Sequence, residues 1–186
     1  MIDVNKFKPG ISFQDGKDIF VVVEAQHSKQ GRGQASVKAK IKNLRTGATI
    51  MKTWTGGDKV KKAHIDKKDM DYLYNDGTSA ILMDQETFEQ VEIPMEKIEW
   101  ELKFMVEGNK VMVRAFESEI LDIELPANIE LKVIEAPDAV KGNTANNPQK
   151  FVKVETGFEL EAPMFIKEGQ TIVIATSTGK YAGRSN

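Results

Sequence analysis

The feature that most constrains this chain is a period-two alternation repeated in many short runs. Val37, Ala39 and Ile41 alternate with Lys38, Lys40 and Lys42. Successive side chains of a strand point to opposite faces, so one face of this segment packs and the other carries charge. Residues 20–23 read as a buried strand. Strand-like runs also occupy 48–54, 72–74, 80–83, 110–116, 120–125, 129–134, 151–155, 158–160 and 171–175, separated by turn residues. Asn75-Asp76-Gly77 carries a strong hairpin signal, and Pro126, with no amide to donate, interrupts a ladder. The class predicted is all-β, built as small barrels. One helix is expected over 94–105, where Pro94 suits a first turn and Ile98, Leu102 and Met105 recur at helical spacing before Gly108 ends the run. Glu107-Gly108 before Val111 and Val113 resembles Glu168-Gly169 before Ile172 and Ile174, which suggests two related units.

With 186 residues and 40% hydrophobic content, the chain can hold one medium domain or two to three small ones. The absence of cysteine excludes a disulfide framework, a thiolate metal site and a cysteine nucleophile. Residues 1–10 lack the apolar run of a signal peptide, and no later stretch reaches the roughly 18 apolar residues of a membrane span. A cytoplasmic location without membrane contact is the expectation. The formal net charge of -2 conceals a separation of charge. From His27 to Lys52 the charged residues are Lys29, Arg32, Lys38, Lys40, Lys42, Arg45 and Lys52, with no acid among them, whereas acids dominate 84–130. A polyanion such as RNA would meet the N-terminal part first.

Enzymatic readings fail on context. His27 and His64 are the only histidines, and neither has a metal-binding spacing or an accompanying serine nucleophile pattern. Gly31 and Gly33 could open a dinucleotide fingerprint, but Ser36 stands at the third glycine position and a strand follows. The acidic pairs Glu99/Glu101 and Glu117/Glu119 read as solvated charge, Trp54 and Trp100 as core, and His27 as a partly buried prop for its hairpin. No catalytic residue, metal or cofactor is expected. A general single-stranded RNA-binding protein or RNA chaperone built from β-barrels is compatible with these residues.

Residues 30–47 read QGRGQASVKAKIKNLRTG, and here the chain resembles bacterial elongation factor P. That family carries a glycine-flanked basic residue at a hairpin tip, alternating basic and apolar positions, and an Asn-Leu-x-Thr-Gly turn, matched by Asn43, Leu44, Thr46 and Gly47. The resemblance continues through Tyr72, Asp76, Gly77, Met83 and Asp84, through Glu124-Leu125-Pro126, and through Gly142, Thr144, Glu155, Thr156, Gly157, Pro163, Phe165, Glu168 and Gly169 to Thr178, Gly179, Tyr181 and Arg184. Gln30 stands where the family usually has Pro, Asn143 where Asp is frequent, and Arg32 where many relatives carry a modified Lys.

The resemblance implies an L-shaped, tRNA-like molecule of three barrels. These are an SH3-like, KOW-type domain over 1–63, a central OB domain over 64–127 and a C-terminal OB domain over 128–186. It implies a monomeric translation factor bound to both ribosomal subunits between the P and E sites, stimulating peptide-bond formation at consecutive prolines. Arg32, with Gly31 and Gly33, would contact P-site peptidyl-tRNA and could be modified by a dedicated enzyme. Lys29, Lys38, Lys40, Lys42 and Arg45 would bind RNA phosphates. Gly142, Asn143, Thr144, Tyr181 and Arg184 would face the small subunit, tRNA or E-site mRNA.

Overall fold

The computed structural model describes residues 1–28, 35–137 and 148–185. The chain is all-β in three sheets, as the alternation predicts. The first sheet contains β1 (Ile2–Asp3), β2 (Ser12–Asp15), β3 (Asp18–Ser28), β4 (Ser36–Asn43), β5 (Thr49–Thr55) and β6 (Lys59–Lys62), in the order β1-β6-β2-β3-β4-β5. Val37, Ala39 and Ile41 are completely buried, so the apolar phase of β4 faces the core and its lysine phase faces outward. Burying a Val or Ile side chain contributes roughly 1.5–3 kcal/mol, enough to hold this register against a one-residue slip. Phe7 and Phe13 stack at 5.1 Å, and Trp54 meets both rings edge-on. The Asn-Leu-x-Thr-Gly turn has a local cause. Asn43 Oδ1 accepts from the amides of Arg45 and Thr46, and Gly47 takes φ +76°.

The second sheet contains β7 (Asp66–Asn75), β8 (Ser79–Asp84), β9 (Gln90–Pro94), β10 (Lys110–Phe116) and β11 (Glu119–Glu124), ordered β11-β10-β7-β8-β9. The third contains β12 (Asn128–Glu135), β13 (Gln149–Val154), β14 (Glu159–Pro163), β15 (Thr171–Ala175) and β16 (Lys180–Arg184), ordered β14-β13-β12-β15-β16. Read from the fifth strand of each set, the two orders are the same. The similarity reaches single hydrogen bonds. Gly108 N–H donates to Tyr72 O and Tyr72 N–H to Asn109 O, while Gly169 N–H donates to Val133 O and Val133 N–H to Gln170 O. Both glycines take positive φ, +84° and +86°, and both first strands shift register next to the bonded residue. The paired Glu-Gly turns of the sequence therefore occupy equivalent places.

The helix expected over 94–105 is corrected. Pro94 ends β9, Met95–Lys97 form a single 3-10 turn, and the α-helix is the one-turn segment Glu99–Leu102. Ile98, at φ −128° and ψ 26°, separates the two turns, and neither start has a side-chain cap. Ile98 and Phe104 are fully buried from this segment, and their packing rather than an uninterrupted helical ladder determines its path. None of the helices among the described residues is long and apolar enough to cross a membrane.

Met1–Lys68 and Val113–Asp122 form one compact unit, and Asp69–Met112 with Ile123–Asn186 another. The first has the aromatic core above and a smaller cluster of Ile19, Val21, Leu44, Ala63 and Leu121. The second contains a core of Phe104, Leu131, Val133, Val152, Val154, Leu160, Ile166, Ile172 and Ile174.

Candidate nucleic-acid interface

β3 and β4 form a long antiparallel hairpin whose last described pair is Ser28 opposite Ser36. Lys29, Gly31, Arg32 and Gly33, the predicted tip and its neighbours, lie outside the described residues. The base of the hairpin is held from two sides. His27 is exposed, yet its Nε2 donates to Phe7 O at 3.2 Å, so its ring props the hairpin without being buried. Gly56 N–H donates to Ala35 O at 2.6 Å. A Cβ on Gly56 would stand 2.7 Å from Ala35 Cβ and 2.9 Å from its carbonyl oxygen, so the chain after β5 can approach the hairpin base only through a glycine.

The predicted phosphate-binding cations divide into two groups. Lys38 lies between Gln26 and Thr53 in the cross-strand register, and Lys40 between Glu24 and Met51. Both lysines are exposed on the outer face of β4. Lys42 and Arg45 instead approach carboxylates. Lys42 Nζ donates to Asp122 Oδ2 at 3.3 Å, and Arg114 clamps the same carboxylate through Nε at 2.7 Å and a terminal nitrogen at 2.6 Å. Arg45 donates to Glu119 at 2.9 Å. Asp122 is only 2% exposed, and Arg114 and Lys42 give its buried carboxylate two charge-assisted partners. Lys52 is turned toward the core side, where it pairs with Asp15 and lies 5.4 Å from the centre of the Trp54 ring.

The C-terminal candidate residues are dispersed in the same way. Gly142, Asn143 and Thr144 lie outside the described residues. Tyr181 and Arg184 both lie on β16, where Tyr181 packs against the core of its unit and exposed Arg184 places its guanidinium 5.1 Å from the Phe165 ring. Trp54 is core, as expected. Trp100 differs: it remains 37% exposed and bridges two elements, its indole N–H donating to Thr176 O at 2.8 Å while Lys103 lies over the ring. Among the described residues no group of three or more His, Asp or Glu could hold a metal ion.

Three family models match in succession. They are the elongation factor P KOW-like domain over residues 3–60, the elongation factor P OB domain over 65–123 and the elongation factor P C-terminal model over 129–184. This chain belongs to the elongation factor P family. It is 69% identical to elongation factor P of Mycoplasmopsis pulmonis over the whole of both chains, and 68% identical to that of Mycoplasmopsis agalactiae, also over both entire chains. Elongation factor P of Mycoplasma mobile is 65% identical, across all of this chain and 99% of the relative. A solved structure of eukaryotic translation initiation factor 5A from Methanococcus jannaschii superposes with a TM-score of 0.50 at 21% identity, covering 66% of this chain and 92% of that one, a likeness of fold. The chain is thus an elongation factor acting in translation.

Sequence reading missed the ion-paired state of Lys42 and Arg45, because Asp122 and Glu119 are more than 70 positions away and only the folded chain brings them together. It also missed β1, β2, β6, β9 and β16. β6 contains three lysines and one valine, which hides any alternation of apolar and polar residues.

Proposed function

We propose that this elongation factor binds the ribosome between the P and E sites and positions peptidyl-tRNA through the Arg32 loop, relieving stalling at consecutive prolines. The observation that carries this reading is the match to elongation factor P along the whole chain, including the tip segment. The intervals of the three family models support a division into an SH3-like, KOW-type barrel over 1–63, an OB barrel over 64–127 and a second over 128–186. The shared strand order of the second and third sheets supports pairing the last two.

Proline is a poor nucleophile when its approach is constrained, and holding peptidyl-tRNA and acceptor in alignment lowers the entropic part of the barrier. The ribosome performs the chemistry. Arg32 suits the tip because its permanently charged, planar guanidinium contacts phosphate bidentately or stacks on a terminal base. Gly31 and Gly33 permit close backbone approach to RNA. Lys29, Lys38, Lys40, Lys42 and Arg45 orient the N-terminal domain on RNA phosphates without reading sequence. Exposed Lys38 and Lys40 do so most directly, while Lys42 and Arg45 also hold Asp122 and Glu119. Gly142, Asn143 and Thr144, with Tyr181 and Arg184, contact the small subunit and its bound RNA.

The test is a polyproline reporter in a reconstituted translation system. Arg32→Ala removes most of the stimulation while leaving the protein folded and ribosome-bound. Full stimulation by that variant would overturn the tip mechanism. Intact mass of protein from its native host then decides whether the bare guanidinium suffices, since a modified Arg32 adds mass to the encoded chain.

A further inference from the structure

The first 68 residues are far more cationic than the tip segment alone discloses. They hold 15 lysines and arginines against six aspartates and glutamates, whereas the remaining chain holds 11 against 22. A large share of that excess lies away from the tip. Residues 59–68 read KVKKAHIDKK, five lysines with one aspartate. Lys59, Lys61 and Lys62 on β6 are exposed, as are His64, Lys67 and Lys68 beyond it.

Three features distinguish this strip from an ordinary solvated face. Val60 packs against the aromatic core, so the alternation of β6 turns its neighbours Lys59 and Lys61 to the outer side of the sheet. Lys59 lies opposite Asp3 in the β1 register, yet Asp3 accepts from the Asn5 amide, and Lys59, Lys61 and Lys62 form no ion pair among the described residues. Lys42, Arg45 and Lys52 of the same unit, by contrast, are all paired with carboxylates. Finally, β2 and β3 separate β6 from β4 in the sheet, so the β6 lysines form a second strip rather than an extension of Lys38 and Lys40. Unpaired, like-charged lysines on adjacent positions repel one another, and a polyanion relieves that repulsion.

We infer that Lys59 and Lys61 on the outer side of β6, with exposed Lys62 at its end, on the phase of Val60 and Phe13, and Lys67 and Lys68 beyond, form a second RNA-backbone-binding strip. It contacts phosphates of structured ribosomal RNA or bound tRNA independently of the β4 face. The inference rests on the ribosome-binding role proposed above and adds a separate contact surface to it. The partner is RNA rather than an acidic protein because point-charge lysines dispersed along a strand suit an evenly charged backbone, whereas bidentate carboxylate recognition favours arginine. The strip contains no arginine.

The experiment measures binding of the full chain to ribosomes carrying P-site peptidyl-tRNA as a function of salt. It compares the wild type, Lys38→Gln/Lys40→Gln, and Lys59→Gln/Lys61→Gln/Lys62→Gln. Each lost phosphate contact lowers the slope of log affinity against log salt by about 0.7–0.9, so the triple variant's slope falls by about 2–3 and its affinity at low salt falls at least tenfold. Lys59→Arg/Lys61→Arg/Lys62→Arg restores both. An unchanged slope in the folded triple variant overturns the second strip, while failure of the wild type to bind overturns the ribosomal reading itself. Equal binding to ribosomes combined with lost binding to anionic phospholipid vesicles would assign the strip to lipid and likewise overturn it. Lys61→Gln alone, with an expected fall in slope of about 0.7–0.9, gives the same decision if the triple variant does not fold.

Discussion

At the residue scale, the most consequential side chain outside the tip is Asp122. Its carboxylate is almost completely buried between Arg114 and Lys42. Removing one member of such a group leaves the others desolvated without compensation, and Asp122→Ala is expected to destabilise the protein by about 3 kcal/mol, read from the urea midpoint. Asp76 illustrates a weaker, exposed case. Hydrogen bonds from the Ser79 amide, the Thr78 amide and the Thr78 hydroxyl hold its carboxyl below the usual carboxylate range. Because the folded form is the more acidic, the turn's stabilisation is present above the ordinary carboxylate pKa and disappears as pH falls through the lowered value. An NMR titration of the Asp76 carboxyl should show this low midpoint, with the Thr78 and Ser79 amide resonances moving in step. An ordinary midpoint would remove this explanation of the turn. Asp76 was legible in the sequence because Asn-Asp-Gly is a local turn signal. Asp122 was not, since its partner Lys42 is 80 positions away.

At the scale of elements, the β3–β4 hairpin shows how a strand pair becomes a platform. Its alternation was legible, because burial of Val37, Ala39 and Ile41 leaves only one face for Lys38 and Lys40. The support at its base was not legible, because the contact between Gly56 and Ala35 depends on where β5 ends in space. Gly56→Ala forces a methyl group against the Ala35 side chain and carbonyl. It should cost about 1–3 kcal/mol and reduce polyproline stimulation more than an equally destabilising core substitution elsewhere. Thermal melts together with the reporter assay check both parts. The 94–105 segment failed as a helix for a related reason: its apolar spacing was helical, but Ile98 and Phe104 are buried through a path that breaks the ladder.

For the molecule as a whole, the segregation of charge outweighs its sum. Although the full chain carries -2 and has an isoelectric point near 5.8, its N-terminal 68 residues should behave as a cationic surface. The protein is expected to be retained on immobilised heparin at pH 7 and low salt, where a uniformly charged anionic protein passes through. The Lys59→Gln/Lys61→Gln/Lys62→Gln variant should elute at lower salt, and elution of the two proteins together would count against an exposed β6 strip. By itself the sequence determined the all-β class, most strand positions, the cationic segment and the family, because alternation, turn chemistry and a glycine-bounded tip are local properties of neighbouring residues. Only the tertiary structure decided which cations are already engaged by carboxylates, how the Glu-Gly turns repeat bond for bond, and where the lysines of β6 project. Those properties depend on distances between residues far apart in the chain, and such distances exist only once the sheets have closed on their cores.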